Sequence, residues 1–342
     1  MSRPGRLDIH FFDLLKGDLL KMVEATRRTG SMNSKMASTN IALIPKKDDA
    51  ESFSDFRPIS LCNISYKIVA KIIAERIKVY LSEHISSEQH AFLSGRNIQD
   101  AVESTQEGLY SIQKWKRDAT ILKIDLQKAY DCLDWGFLRC LLVKIGLNSG
   151  MTNWIMACVE LVNFSVIING IPSPFFVASR GLRQGCPLSP LLFILAMNTL
   201  SLHINKAVEE ARIRPLKLCR SIPISHNLFV DDIIIFGMLC KVTWSCYFVI
   251  LVKFQKATSL NINLDKSAFF HNDSDLVLIT WLSEKFGIKS LPIASGLKYL
   301  GFQLKAMGYK KADWGWILDK FHKRISGWQF RFLSLGGRVI LA

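Results

Sequence analysis

Two adjacent carboxylates interrupt an apolar run in the second half of the chain and constrain its fold more than any other feature. The run is Phe229-Val230-Asp231-Asp232-Ile233, between two short β-prone segments at 227–230 and 233–236. This pattern predicts a β-hairpin with an acidic tip. Burying uncompensated negative charge costs several kcal/mol. The tip is therefore either a water-exposed turn or a site where a cation compensates the carboxylates.

A third carboxylate, Asp125, closes another apolar, strand-like run at 120–124. Taken alone, Asp125 is equally well explained as the cap of a following helix. If its strand lies beside the hairpin, Asp125 joins Asp231 and Asp232 in a three-carboxylate site. Such a site can hold two metal ions ~3.5–4 Å apart, the arrangement used for in-line attack on a phosphate.

The composition is that of a folded, basic protein. Of 342 residues, 44 are Lys or Arg and 29 are Asp or Glu, and the formal net charge of +15 favours polyanionic partners such as nucleic acid. No apolar stretch approaches the ~18 residues that a spanning helix needs, and no signal peptide is evident. We therefore expect no membrane association and an intracellular location, in the nucleus or the cytoplasm. The eight cysteines form no CxxC pair and are expected to be free, buried thiols.

Strands and helices alternate irregularly, which predicts an α+β fold. Residues 65–85 have the apolar spacing of a helix, and residues 41–44 form a short strand-like run that ends at Pro45. Residues 26–39 are polar and rich in helix breakers, which indicates a loop.

Two further helices have start signals in the sequence. One should begin near Asp134, and Ser189 is expected to cap a central helix with Pro190 at its first position. From Lys298 onward basic and aromatic residues interleave, which predicts a helical subdomain with a basic face. That face suits a nucleic-acid groove, although a solvated amphipathic bundle has the same pattern.

Eight short blocks occur in a fixed order along the chain. They are Ile41–Lys46, Phe56–Leu61, Gln89–Phe92 with Gly95-Arg96, the block that begins at Asp125, Gly181–Pro190, Phe229–Asp232, Ile262–Ser267 and Tyr299–Gly301. Together they resemble the reverse transcriptase domain of LINE-type (non-LTR) retrotransposons, especially the plant elements. The resemblance implies a right-hand polymerase fold with fingers at 1–118, a palm with an antiparallel sheet at 119–296, and the start of a truncated helical thumb at 297–342.

The resemblance also implies an activity, that of an RNA-directed DNA polymerase. Such an enzyme transfers nucleotides from dNTPs to the 3′-hydroxyl of a DNA primer on an RNA template. Asp125, Asp231 and Asp232 are then expected to bind two Mg²⁺ ions, with Mn²⁺ able to substitute. One ion lowers the pKa of the primer hydroxyl, and the other neutralises the triphosphate and the pyrophosphate.

Tyr130, five residues after Asp125, matches the position that carries a bulky ring beneath the incoming sugar. A ring there clashes with a 2′-hydroxyl and selects deoxynucleotides. Without the resemblance, the same residue is better explained as part of the core.

The remaining predicted site residues are assigned by their match to family positions. Those expected to bind the dNTP are Lys46, Lys47, Arg57, Leu126, Gln184 and Gly185. Lys266 is expected to protonate pyrophosphate, and the residues expected at primer or template are Arg96, Pro187, Leu300, Gly301 and Phe302. Without the resemblance, the lysines fit a solvated surface equally well, Gln184-Gly185 fits a helix-entry turn, and residues 300–302 fit an ordinary strand turn.

The chain departs from the family pattern in places. Val230 stands where the family usually has Ala, and an upstream Pro-Gly-Pro-Asp-Gly block is only echoed at residues 3–6. The chain starts after the expected endonuclease and stops inside the expected thumb, as a fragment or a degenerate copy would. The main alternative is a catalytically silent nucleic-acid-binding remnant. A maturase would need a further domain, and an RNA polymerase or a nucleotide cyclase would not predict Tyr130 together with Gln184-Gly185.

Overall fold

The computed structural model describes residues 12–218, 222–272 and 275–329. Sequence predictions that concern residues 3–6, Cys219 and residues 330–342 lie outside the described residues. Within these ranges the α-helices are α1 (Phe12–Thr29), α2 (Ser34–Ala37), α3 (Ile64–His84), α4 (Ile98–Lys114), α5 (Ala129–Cys132), α6 (Trp135–Lys144), α7 (Ser149–Glu160), α8 (Ser189–Glu209), α9 (Lys241–Thr258), α10 (Leu276–Phe286) and α11 (Gly315–Gln329).

The strands of the described residues are mostly short. They are β1 (Thr39–Pro45), β2 (Phe56–Cys62), β3 (Ala119–Ile124), β4 (Asn163–Ile168), β5 (Ile171–Pro172), β6 (Phe176–Val177), β7 (Leu216–Leu218), β8 (Ile222–Ile224), β9 (His226–Phe229), β10 (Asp232–Met238), β11 (Ala268–His271), β12 (Lys289–Pro292), β13 (Leu297–Tyr299) and β14 (Phe302–Leu304).

A five-stranded sheet in the order β12-β11-β3-β10-β9 forms the centre of the fold. Its pairs are antiparallel except β11 with β12. The strands β3 and β10 are neighbours, and Ile124 lies opposite Ile233. The predicted hairpin with an acidic tip and the α+β class are therefore confirmed, and the end of β3 lies beside that tip.

A second sheet has the order β2-β1-β4-β5, with β6 also paired to β4. Its strands β1 and β4 are parallel. The strands β4–β6 fall in the range 119–296 predicted as palm, yet they complete the sheet that β1 and β2 begin. A single boundary at 118/119 therefore does not separate the two sheets.

The helix α8 lies in the core, where Phe193, Ile194 and Met197 are fully buried. By length and composition it is the one helix of the described residues that could span a membrane, but 67% of its apolar window is buried inside the fold. The prediction that Ser189 caps this helix was wrong. Ser189 is itself helical and buried, and Leu188 occupies the cap position without a side-chain hydrogen bond.

The prediction of a loop at 26–39 was also wrong in part. The helix α1 continues to Thr29, because the indole of Trp154 on α7 donates a hydrogen bond to the Thr26 hydroxyl (3.1 Å) and holds this end of the helix. Asn33 then caps the single turn of α2 by accepting from the backbone amide of Lys35. Packing against a distant helix thus overrides the local breaker signal.

Two further expectations need correction. The segment after Lys298 is not wholly helical, because Lys298 lies in the hairpin β13–β14 that precedes α11. The cysteines of the described residues are free, as expected, but not all of them are buried. Cys62, Cys158 and Cys186 are buried, whereas Cys140 is exposed and the others are partly exposed.

Candidate active site

A cleft of about 990 Å³ is lined by residues from both sheets and from the loops that follow them. It brings together nine of the eleven residues predicted for catalysis or dNTP binding. These are Lys46, Arg57, Asp125, Leu126, Tyr130, Gln184, Gly185, Asp231 and Lys266. Lys47 and Asp232 are not among the residues that line it. Residues as distant in the sequence as Lys46 and Lys266 thus meet in one open cleft.

Asp125 and Asp231 enter this cleft from neighbouring strands. Asp125 directly follows β3, and Asp231 lies in the turn between β9 and β10. Burial raises the pKa of Asp231, and the negative charge of Asp125 raises it too. The two carboxylates therefore repel each other in a partly buried space.

Asp232 has different surroundings. Its pKa is raised to about 6, first by burial and then by the charge of Asp231, while Lys123 lowers it. Burial raises the pKa of Tyr299 in β13, and the charge of Asp232 raises it further. The Nζ of Lys123 donates to the backbone oxygen of Lys298 (2.7 Å). Asp232 is thus coupled to the β13–β14 hairpin, and its predicted place among the metal ligands stays a prediction.

The chemistry of Asp125 and Asp231 fits a hard divalent cation. Mg²⁺ prefers oxygen ligands and usually takes one or two protein carboxylates, with water and substrate phosphates completing its octahedron. A cation would compensate both the burial and the repulsion by Asp125 that raise the pKa of Asp231. In the part of the chain that the structure describes, no group of three Asp, Glu, His or Cys side chains is arranged to hold a metal by itself. The pair therefore suits an ion whose remaining ligands come from outside the protein.

Tyr130 lines the cleft and is also part of the core. Its ring stacks on Phe193 of α8 with the centroids 4.7 Å apart, and its backbone oxygen accepts from the amide of Leu182. Burial raises the pKa of its hydroxyl, and the charge of Asp231 raises it further. A core role and a role in the cleft are therefore compatible, since packing on α8 fixes a ring that faces the cleft.

Lys46 and Lys47, the two lysines predicted to bind the dNTP after β1, have different surroundings. Lys46 lines the cleft, and its Nζ donates to the backbone oxygen of Ser54 (2.7 Å). Lys47 forms an ion pair with Asp55 (3.1 Å) instead. Arg57 lies on the cleft near Lys46 because β1 and β2 are paired with Ile44 opposite Arg57.

Gln184 and Gly185 form a turn that rests on β2. The backbone oxygen of Gln184 accepts from the amide of Ser60 (2.7 Å). Gly185 has a φ of +102°, and a Cβ there would lie 3.1 Å from the backbone oxygen of Ser60. Only glycine allows this close approach without strain. Pro187, predicted at the template, lies two residues further on and does not line the cleft.

Lys266 reaches the cleft through a segment that pairs with the end of β3. Leu126 and Ile262 form a bridge, and the amide of Asn263 donates to the backbone oxygen of Asp125 (2.8 Å). The hydroxyl of Ser267 accepts from the amide of Asp125 (3.2 Å). The sequence places Asn263 and Ser267 in a block but indicates no role for them. Their contacts with Asp125 depend on the pairing of this segment with the end of β3, which the sequence does not indicate.

The residues predicted at the primer or template lie outside the cleft. Leu300 and Gly301 both have positive φ, as in the type I′ turn that joins two strands tightly. Phe302 follows in β14 and packs edge-on against Trp316 of α11. The Nη atoms of Arg96 donate to three backbone oxygens at 85, 86 and 89, so the structure shows a role for Arg96 in holding that turn.

Comparison with known proteins agrees with this geometry. A family profile described as "Reverse transcriptase (RNA-dependent DNA polymerase)" matches residues 44–304. Over 187 residues the chain is 30% identical to an uncharacterized 149 kDa protein of transposon TX1 from Xenopus laevis, covering 55% of this chain and 14% of that protein. It is 28% identical over 184 residues to a Pol polyprotein of the type-2 retrotransposable element R2DM from Drosophila melanogaster, covering 54% of this chain and 17% of the relative.

The matched regions thus span less than a fifth of these two relatives. Among solved structures, apo telomerase from Candida tropicalis, truncated from its C-terminal domain, superposes with a TM-score of 0.55 and 14% identity. That match covers 86% of this chain and 60% of the other, and it shows a shared fold.

Proposed function

Since the chain belongs to the reverse transcriptase (RNA-dependent DNA polymerase) family, we propose that it is an RNA-directed DNA polymerase that extends a DNA primer on an RNA template with dNTPs. The observation that supports this most directly is the cleft. It combines a carboxylate pair, Asp125 and Asp231, with the cations Lys46 and Arg57 and the ring of Tyr130. The carboxylates suit metal-assisted nucleotidyl transfer, the cations suit triphosphate binding, and the ring suits contact with the sugar.

Asp125 and Asp231 are the side chains that would hold the metal. Two bound Mg²⁺ ions, or Mn²⁺ in their place, would supply activation of the primer hydroxyl and compensation of the charge on the triphosphate. The carboxylates themselves would fix where the reacting hydroxyl and the α-phosphate meet, because Asp125 directly follows β3 and Asp231 lies in the turn that enters the neighbouring strand β10. Asp232 would complete the acidic cluster beside this pair. Burial and the charge of Asp231 raise its pKa, and the charge of Lys123 lowers it.

The cations of the cleft bind the triphosphate in this proposal. Arg57 offers the planar fork that suits phosphate oxygens, and Lys46 offers a point charge beside it. Lys266, exposed on the opposite segment at 261–266, would donate a proton to the departing pyrophosphate. Gln184 and Gly185 would contact the incoming nucleotide from the wall of the cleft.

Tyr130 selects the sugar. Its ring cannot move away from a 2′-hydroxyl because it is stacked on Phe193. The site would therefore accept dNTPs and reject ribonucleotides.

The parts of the right hand are proposed as fingers within 1–118, palm within 119–296 and the start of a thumb from 297. The pairing of β4–β6 with β1 joins residues 163–177 to the fingers sheet. The hairpin β13–β14 would contact the primer end, with Leu300, Gly301 and Phe302 at its tip.

Primer extension on an RNA template tests the proposal. The full chain should extend a DNA primer with dNTPs and Mg²⁺, and Asp231→Asn should abolish extension. Asp18→Asn, on the exposed face of α1, should leave it unchanged. Absence of extension by the wild type with either Mg²⁺ or Mn²⁺, or equal extension by Asp231→Asn, would contradict the proposal.

The net charge of +15 favours a second candidate, a nucleic-acid-binding protein without catalysis. It predicts primer–template binding with a steep salt dependence and no extension at any metal concentration.

A further inference from the structure

The turn that carries Asp231 has a strained backbone. Val230, the residue before it, has a φ of +59°. This left-handed conformation is unfavourable for a β-branched residue because its Cβ crowds the carbonyl oxygen. A turn of this kind persists only where its surroundings fix it.

One side chain from a distant segment contacts this turn. Gln89 is fully buried, and its Oε1 accepts a hydrogen bond from the backbone amide of Val230 (3.3 Å). The same oxygen accepts from the amide of Ala91 (3.2 Å). Its Nε2 has no hydrogen-bond partner among the described residues. Oε1 is therefore the side-chain atom through which Gln89 forms its hydrogen bonds.

The backbone around Gln89 is itself fixed to the strand that enters the turn. Gln89 and Leu228 form a parallel bridge beside β9. The amide of Leu228 donates to the oxygen of Glu88 (2.8 Å), and the amide of His90 donates to the oxygen of Leu228 (2.9 Å). Arg96 donates to the backbone oxygen of Gln89 (2.6 Å). The backbone of Gln89 is thus fixed beside β9, while its side chain hydrogen-bonds to Val230, the residue after β9.

From these contacts we propose that Gln89 is a positioning residue for Asp231. It does not line the cleft, but it fixes the Phe229–Val230 peptide, one residue before Asp231. The inference rests on the proposed polymerase function, because it matters for catalysis only if Asp231 acts there. Displacement of a catalytic group by a fraction of an ångström is enough to slow a reaction strongly.

The test replaces Gln89 by a side chain of similar size that cannot accept a hydrogen bond in the same way, Gln89→Met. The matched control is Asn198→Leu. Asn198 on α8 is also buried, and its Oδ1 accepts from the backbone amide of Ser86 (3.0 Å). It anchors the same segment by the same kind of bond without touching the Val230 turn.

Three measurements on the full chain separate positioning from general stability. In Gln89→Met, hydrogen exchange at the Val230 amide should be about tenfold faster, and Mn²⁺ binding, followed by electron paramagnetic resonance, should weaken. The kcat for primer extension should fall by about tenfold or more, while the KM for dNTP stays within about twofold. Asn198→Leu should lower the Tm but leave the exchange of Val230, Mn²⁺ binding and kcat close to wild type.

The outcomes distinguish this inference from the proposed function. If Gln89→Met folds and keeps wild-type exchange at Val230 and wild-type kcat, or if Asn198→Leu reproduces all its effects, the positioning role is wrong. If the wild type extends no primer but exchange and Mn²⁺ binding still respond to Gln89→Met, the polymerase proposal fails while the structural link stands. If Gln89→Met does not fold, Gln89→Asn, which withdraws the amide oxygen from Val230 by one methylene, should give the same three shifts.

Discussion

The guanidinium carbon of Arg183, the residue before the Gln184-Gly185 turn, lies 3.8 Å from the centre of the buried Tyr66 ring. Its Nη2 donates to the backbone oxygen of Cys158 (2.6 Å), and its Nη1 donates to the hydroxyl of Thr39 (3.0 Å). One buried cation thus ties α7 and the start of β1 to the turn that approaches the proposed nucleotide.

We expect Arg183→Lys to weaken both the fold and nucleotide binding. A lysine cannot reproduce the planar fork or the stacking on Tyr66, and a hydrogen bond to a charged group contributes about 1.5–3 kcal/mol. Denaturant unfolding should show a loss of about 2 kcal/mol, and the KM for dNTP should rise more than kcat falls. Arg139→Lys, at the half-exposed ion pair with Glu160, serves as control and should change stability by less than about 1 kcal/mol. Equal effects of the two substitutions would contradict this role for Arg183.

Lys46 and Lys47 form a natural matched pair. Because Lys46 lines the cleft and Lys47 is paired with Asp55, we expect Lys46→Ala to raise the KM for dNTP by about tenfold, the value of one charge-assisted phosphate contact. Lys47→Ala should raise it by less than about threefold. Steady-state extension with varied dNTP measures both. A larger effect at Lys47 would show that the tip of the β1–β2 connection rearranges around the triphosphate.

Much of the site was predictable because its signals are local. The apolar runs of β3 and the β9–β10 hairpin each lie next to a carboxylate, whereas the pairing of β3 with β10 is a long-range contact that no local signal specifies. The choice between Lys46 and Lys47 was not predictable, since it depends on an ion pair across a turn. The surroundings of Asp232 depend on Lys123, a residue of the neighbouring strand that no motif marks.

Long-range pairing accounts for what the sequence could not indicate. The segment at 163–177 looks like part of a continuous palm, but its strand β4 pairs with β1, and nothing in the local composition specifies that partner. Gln89 likewise stands in a recognisable block, yet its contact with Val230 spans 141 positions. Such contacts follow from topology rather than from hydrophobic period or turn chemistry.

Tyr130 should control the choice between dNTPs and ribonucleotides. Tyr130→Val removes the ring and opens space for a 2′-hydroxyl, so discrimination against ribonucleotides, measured as a ratio of kcat/KM values, should fall by about 10- to 100-fold. Tyr130→Phe keeps the ring stacked on Phe193 and should keep the discrimination. Loss of discrimination in both variants would assign the selection to the hydroxyl instead of the ring.

His226 should make the fold sensitive to mild acid. Its ring is fully buried in β9, between the hydroxyls of Ser201 (2.6 Å) and Ser225 (2.9 Å). Burial lowers the pKa of His226 to about 4; the charge of Glu88 opposes this shift and that of His90 adds to it. In the unfolded chain the pKa is about 6.5.

Between these two pKa values the unfolded chain binds the additional proton, so stability rises with pH and is lost as the pH falls from about 6.5 towards 4. From about pH 7 to pH 5 the free energy of unfolding should fall by about 2 kcal/mol through this residue. His226→Gln should remove that part of the pH dependence, even though the variant is less stable at neutral pH. His203→Gln, on the exposed side of α8, should leave the slope unchanged. Urea unfolding at a series of pH values measures how the free energy of unfolding depends on pH. An unchanged pH dependence in His226→Gln would show that other groups account for the acid sensitivity.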